Sequence, residues 1–418
     1  MAVRELTGAT VPAEVRPRWR LARLLGPAFV AAVAYVDPGN IAANVAAGAG
    51  YGYLLVWVLV AANAIAVVVQ YLSAKLGLVT GHSLPELLGA RLRRRGRLAF
   101  WAQAELVAAA TDLAEVIGGA IALEILFGVP LPLGGLIVGL VSMAILAVQS
   151  RRGQPAFELA VLGLLAVIAV GFVAGLFVST VDWGRAAGGL APRFAGTPTV
   201  LLAASMLGAT VMPHAVYLHS SLVRDRHGVD PDPARIRRLL RATRWDVTTA
   251  LVVAGSVNIS LLVLAAANLH GVAGVSTIEG AQAAISHALG AAIGVTFAVG
   301  ILASGLASTA VGCYAGAVVM SGLLRARVPL LARRGLTLVP ALLLLSFSAD
   351  PTAALVLSQV LLSIGIPFAV LPLAWLTSER RLMGAFTNTL VLKVVAAVVT
   401  AAIVALNLVL LYLTFASR

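Results

Sequence analysis

Residues 34–44 read AYVDPGNIAAN, placing an aspartate and a Pro-Gly pair in the middle of an otherwise uncharged, apolar segment. A carboxylate is costly at membrane depth, and Pro and Gly both break helices. Two readings compete: a surface loop between two hydrophobic segments, or a helix break inside a membrane span. A loop would leave 25–36 and 41–50 as separate spans of only 10 to 12 residues. Crossing roughly 30 Å of hydrocarbon at about 1.5 Å per residue takes about 20. The break therefore belongs inside one span.

The rest of the chain supports a membrane setting. Of its 418 residues, 60% are hydrophobic and 11% charged, where soluble domains carry roughly 25% charged residues. A single cysteine, Cys313, excludes a disulfide framework and a Cys-rich metal site. The polar, arginine-bearing start lacks the short apolar core and cleavage site of a secretory signal. Residues 1–24 are expected to form a cytoplasmic tail. The net charge of +13 does not point to nucleic acid, because the arginines lie between apolar stretches, where topology accounts for them. Nothing marks an obligate protein partner; the bilayer is the expected surrounding.

Apolar runs fall near 25–48, 53–78, 98–127, 131–149, 157–179, 199–222, 246–268, 291–324, 335–349, 353–376 and 387–415, eleven in all. With the N-terminus inside, Arg16, Arg18, Arg20 and Arg23, the loops 79–97, 150–156 and 223–245, and Arg325, Arg327, Arg333, Arg334, Arg380 and Arg381 share one face. Only Arg185, Arg193 and Arg418 fall on the other. A miscount by one span would flip every later arginine, so the sorting supports eleven crossings, a cytoplasmic N-terminus and an external C-terminus in the plasma membrane. The arginines of 223–245 are read as obeying this rule rather than as a lipid-binding device.

A second break stands five spans later. Span six reads LLAASMLGATVMPHAVYLHSSLV, with Gly208, Pro213, His214 and His219 in an apolar setting. Pro213 lacks a backbone donor and so frees a carbonyl about one turn earlier, near Ala209. Interrupted segments at corresponding places in two halves point to an inverted five-plus-five repeat with a site at the midplane. The halves are 25–179 and 199–376, with 387–418 as an additional helix and external terminus. Broken backbone is tolerated at that depth only where it lines a cavity or is buried in protein. Pro38, Gly39 and Pro213 make the breaks.

The ligands on offer there are the Asp37 carboxylate, the Asn40 amide oxygen, the Ala209 carbonyl and the Met212 thioether. Oxygen ligands alone suit Mg or Ca, but a thioether contributes little to either. The soft donor shifts the expected ion toward Mn, Fe, Co or Cd. Span three adds Glu105, Asp112 and Glu115. At about 100° per residue, Asp112 lies about 20° and Glu115 about 80° from Glu105, so one helix face carries all three. Glu124 falls on the other side, near the helix end. An intramembrane stripe of ionisable groups reads by default as a proton relay; the competing reading is a structural polar network between packed helices. Asn258 and Asp246 in span seven are polar enough to matter, but the sequence assigns them no role.

These residues carry a family resemblance. Asp37-Pro-Gly-Asn40 and Met212-Pro-His214 resemble the paired signatures of the Nramp family of divalent metal transporters. TDLAEVIGGAIAL at 111–123, MPHAVYLHSSLV at 212–223 and GLASTAVGCYAGAVVMSGLL at 305–324 agree with it. The resemblance implies an all-α leucine-transporter-type fold, and uptake of divalent metal, Mn or Fe, with protons; the metal is substrate and no cofactor is implied. It matches Asp37, Asn40, Met212 and the Ala209 carbonyl to metal ligands, and Gln359 to a polar residue on the metal path. It matches Asp112 and Glu115 to the proton pathway, with His214 as partner; Glu105 with Arg333 and Arg334 could complete an exit. Many members have Asn after Met-Pro-His, where this chain has Ala215. The retained Met212 separates it from the magnesium-transporting branch.

Two rivals remain open to test. An amino-acid transporter of the same fold would hold a substrate carboxylate at half-helix N-termini, which Asp37 would oppose. An intramembrane metalloenzyme would need a water-activating set such as H-E-x-x-H, which the sequence lacks.

Overall fold

The computed structural model describes residues 26–416 except 231, 276, 325–328 and 348–350. The expected tail 1–24, with its arginines, and Arg325, Arg327 and Arg418 lie outside the described residues.

Span one splits into α1 (Pro27–Val33), a 3-10 turn at Ala34–Val36, and α2 (Pro38–Tyr51). Then come α3 (Val56–Thr80), a short α4 (Leu84–Arg91), α5 (Arg94–Phe127), α6 (Leu131–Arg152) and α7 (Gln154–Val178). After the short α8 (Trp183–Gly188), span six splits into α9 (Thr197–Thr210) and α10 (Pro213–His227). The remainder is α11 (Pro233–Asn268), α12 (Ile278–Leu289), α13 (Ala291–Leu324), α14 (Leu330–Ser346), α15 (Pro351–Ser378), the single turn α16 (Arg380–Met383) and α17 (Leu390–Ala416). Both expected breaks are present, each with proline at the first position of the following half-helix, where a missing N–H costs nothing.

The packing follows the repeat. Spans two and seven meet as α3 on α11, three and eight as α5 on α13, and four and nine as α6 on α14. The halves of span one pack on those of span six, α1 on α10 and α2 on α9. Each of these spans thus meets its counterpart five places later. Small residues let backbones come close, as membrane packing requires. A methyl group at Gly305 of α13 would stand 3.0 Å from the Gly119 Cα of α5, and any side chain at Gly118 would fall on the Pro38 ring at the first break. Large exposed apolar side chains, Leu159, Val170 and Phe177 on α7 and Leu390, Val391 and Val398 on α17, lie where lipid would cover them.

Two sequence expectations shift. The 223–245 loop shrinks, because α10 runs to His227 and α11 starts at Pro233, capped by the Asp232 side chain. The ninth span starts at Leu330 rather than 335, which carries Arg333 and Arg334 inside the helix bundle at 3% and 0% exposure. Counted as loop cations by the charge sorting, both are buried ion-pair partners of α5 carboxylates instead. Hydropathy reads an arginine as a terminator because it cannot see a carboxylate on a neighbouring helix.

The Gly118–Pro38 contact gives a test of this packing. Gly118→Leu should overpack the break by about 1–3 kcal/mol. A thermal shift assay on the detergent-purified protein should show a clearly lowered melting temperature; an unchanged one would mean that α5 does not sit on Pro38 as described.

Candidate metal site

At the first break the chain leaves the 3-10 turn and extends at Asp37, whose Oδ1 accepts the Asn40 N–H at 2.8 Å and caps α2. The carbonyls stranded by the break are held by side chains. Tyr35 O accepts from Asn40 Nδ2 at 2.9 Å and from Asn258 Nδ2 at 2.7 Å, while Val36 O accepts from the Ser304 hydroxyl. Asn258 Oδ1 in turn accepts from Asn44 at 3.0 Å. Spans seven and eight therefore stitch the broken turn of span one.

At the second break α9 ends at Thr210 and α10 begins at Pro213, with Met212 fully buried between them. Pro213 cannot supply a donor to Ala209 O, and Asn40 Nδ2 takes that place at 2.6 Å, across 169 residues of sequence. Thr210 Oγ1 stands 3.4 Å from Asn40 Oδ1. Asn40 thus joins the two breaks directly.

Gln359 of α15 completes the ring. Its amide lies where a side chain at position 39 would be, and that same point is 3.2 Å from Asp37 Oδ2. Gly39 is required by this close approach, and it lets the Gln359 amide and the outer oxygen of Asp37 converge. Among the described residues neither Asp37 Oδ2 nor Gln359 Oε1 has a hydrogen-bond partner, although both residues are buried. Buried polar atoms are rarely left so, and two unpartnered oxygens, one of a carboxylate and one of an amide, on neighbouring side chains are suited to a cation.

The stripe on α5 divides. Asp112 is ion-paired with Arg334, which also donates to the Ser142 hydroxyl at 2.9 Å, and Glu105 is paired with Arg333. Glu115, rotated away from them, lies against Gly312 of α13, with both oxygens unpartnered among the described residues. His214 is buried on α10, and neither ring nitrogen has a partner there. His219 instead meets Gln70 Oε1 at 2.7 Å through Nδ1, and Gln70 Nε2 reaches the Tyr35 hydroxyl. Glu124 is exposed, as its helix angle predicts.

Sequence reasoning missed Tyr35, Gln70 and Ser304, although a glutamine inside apolar span two was a visible signal. It noticed Asp246 and Asn258 without a role. Asp246 accepts the Gly26 and Ala28 N–H groups at 3.0 and 3.1 Å, binding the start of α1 to span seven.

A family model described as natural resistance-associated macrophage protein-like, or Nramp, matches residues 28–413. The chain belongs to the Nramp family. It is 61% identical over 392 residues to a Mycobacterium tuberculosis (strain H37Rv) protein named divalent metal cation transporter MntH, covering 94% of this chain and 91% of that one. Its structure resembles that of the Eremococcus coleocola manganese transporter bound to an aromatic bis-isothiourea compound. The TM-score is 0.86 at 31% identity, with 94% of this chain and 88% of that chain covered. The nucleobase-cation symporter Mhp1 shares the fold at a TM-score of 0.59 and 18% identity, over 93% of this chain and 89% of that chain. The Nramp relatives are named as transporters, so the family is not an enzymatic one. The leucine-transporter-type fold expected from the resemblance is the one observed.

In this Nramp chain the Asp112–Arg334 pair sits at 5% and 0% side-chain exposure, where removing one partner leaves a buried charge uncompensated. Arg334→Met should cost about 3–5 kcal/mol, and adding Asp112→Leu should restore much of it. Thermal melting of the three proteins checks this; a double variant no more stable than Arg334→Met would remove the pair from the argument.

Proposed function

We propose that this chain imports divalent transition metal ions, Mn2+ and Fe2+ foremost and Co2+ and Cd2+ with them, by alternating access coupled to protons. The orientation that goes with this puts the N-terminus in the cytoplasm and the C-terminus outside the plasma membrane. The observation that carries the reading is the buried, unpartnered Oδ2 of Asp37, set inside a helix break beside Gln359 and Asn40. A carboxylate in that position is expensive without a counter-ion, and a divalent cation supplies one. The names of the relatives support the substrate class: a divalent metal cation transporter and a manganese transporter.

Asp37, Asn40, Met212, Gln359 and the Ala209 carbonyl form the proposed site. Ala209 O is held by the Asn40 amide nitrogen. To ligate an ion, Asn40 turns its oxygen inward, and in doing so gives up the hydrogen bond that ties the two breaks. Ion arrival and release of that tie are then one event, which is how binding energy would reach the half-helices. Met212 supplies softness, and discriminates against Ca2+ and Mg2+, which bind oxygen and gain little from sulfur.

For the proton, the stripe favours Glu115. Glu105 and Asp112 are ion-paired with arginines, whereas among the described residues Glu115 is in no ion pair and its oxygens, like the His214 ring nitrogens, lack a hydrogen-bond partner at ordinary distance. Asp112, through Arg334, offers the next station, and Glu105 with Arg333 the exit beyond it. Spatial order along α5 thus runs from Glu115 to Asp112 to Glu105.

Mn2+ uptake into proteoliposomes, with internal pH followed in the same vesicles, tests the proposal. Uptake with acidification, indifferent to excess Ca2+ or an amino-acid mixture, is the expected result. Amino-acid uptake without Mn2+ flux would transfer the fold to the rival substrate class. Asp37→Ala should reduce Mn2+ uptake to background; retained transport would sink the site. Met212→Ala should keep Mn2+ uptake but lose roughly tenfold in selectivity over Ca2+. Glu115→Gln should leave Mn2+ binding, measured by calorimetry, within a few-fold while acidification falls away; equal loss of both would make the stripe structural.

A further inference from the structure

The face opposite the arginine-rich loops holds a cavity of about 380 Å³, lined in part by Tyr51, Tyr53, Arg185, Arg193 and His270. It lies beside the short α8, where α2 and α11 end, the outer side by the charge sorting. Arg185 and Arg193 are the two arginines on this face among the described residues, so a chain that otherwise sorts its cations to the other side places its two exceptions in one cavity. Neither guanidinium has an ion-pair partner among the described residues; the one nearby carboxylate contact, Asp182 Oδ1 at 2.9 Å, goes to the Arg185 backbone N–H.

The walls are fixed. The Trp57 N–H donates to Gly189 O at 3.0 Å, its indole N–H donates to Arg193 O at 3.2 Å, and its ring meets Phe194 edge-on at 5.3 Å between centroids. His270 Nδ1 donates to Ala49 O at 3.0 Å, which leaves Nε2 as the ring's remaining polar atom. Two planar cationic forks, phenols and an imidazole around one volume suit an oxyanion. The volume lies in the range of roughly 300–1,000 Å³ typical of sites for organic ligands, so a bare ion underfills it.

We propose that this cavity binds a phosphate or carboxylate group borne on a small organic body, independently of the metal path. The same chemistry is offered by the headgroup of an anionic phospholipid in the outer leaflet and by a soluble organic anion. The aromatic lining, at the level of the membrane interface, accepts either body.

The purified full-length chain distinguishes the two sources. In neutral detergent it is titrated with glycerol 3-phosphate and with citrate, following tryptophan fluorescence. In nanodiscs, phosphatidylglycerol is compared with phosphatidylcholine by melting temperature. A saturable response to either soluble anion assigns the soluble source; a shift only with phosphatidylglycerol assigns the lipid. In both cases Arg185→Gln/Arg193→Gln should weaken the effect roughly tenfold or more, with Arg185→Lys/Arg193→Lys restoring part of it. No response to any probe, or an equal response in the glutamine and wild-type proteins, overturns the proposal. Mn2+ uptake measured alongside should be unchanged in both variants, so failure of the transport reading would show in the wild type and leave this one standing.

Discussion

The structure depends on one constraint: at membrane depth a broken helix must find partners for its stranded carbonyls within the protein. Span one meets it with side chains from distant spans, Asn258 on Tyr35 O and Ser304 on Val36 O, and with its own Asn40. Span six meets it by borrowing Asn40 again, on Ala209 O. The breaks are therefore not two flexible points but one hydrogen-bonded unit, with spans seven and eight as its frame. Gly39 and Gly118 serve the same unit from either side, one admitting the Gln359 amide and the other admitting the Pro38 ring.

Charge is handled by a second rule. Carboxylates of α5 that face α14 meet arginines, and the one that faces α13 does not. A matched pair adds little net stability and fixes geometry, whereas an unmatched group is free to change its charge. Among the described residues, Asp37 at the break and Glu115 on the stripe are the buried carboxylates with an oxygen left without a hydrogen-bond partner and close to a backbone glycine. The proposed cargo ion and proton are assigned to these two positions for that reason.

What the sequence disclosed follows from range. The break at Asp37-Pro38-Gly39 was legible because charge and helix-breakers inside an apolar run are a local contradiction, and the second break because Gly208, Pro213 and His214 contradict an apolar run in the same way. The order of eleven spans was legible from hydropathy and arginine placement. Arg333 and Arg334 were misplaced by the same reasoning, since a rule that sends cations to loops has no way to detect carboxylates about 220 residues away in the chain, at separations of 228 and 222. The roles of Asp246 and Asn258 were hidden for the same reason, at separations of 218 to 223 residues. Side chains that repair a break lie far from it in sequence because a local repair would have to come from the broken helix itself.

That distance has a mechanical consequence. α1 is held at its start by Asp246, which accepts from Gly26 and Ala28, and at its end by Asn258, and both anchors belong to α11. α1 and span seven thus form one lever, packed on α10 and hydrogen-bonded to the second break, among the described residues, through Asn40. If an ion between the breaks competes for Ala209 O and the Asn40 oxygen, the bond it replaces is the one that couples this lever to span six. A cation that ligates through both groups binds one arrangement of the half-helices better than the other, and differential affinity of that kind is the only means by which a ligand shifts a conformational equilibrium. An ion satisfied by Asp37 alone would leave that bond in place, so the proposed site would need ligands from both breaks for its ion to shift the half-helices.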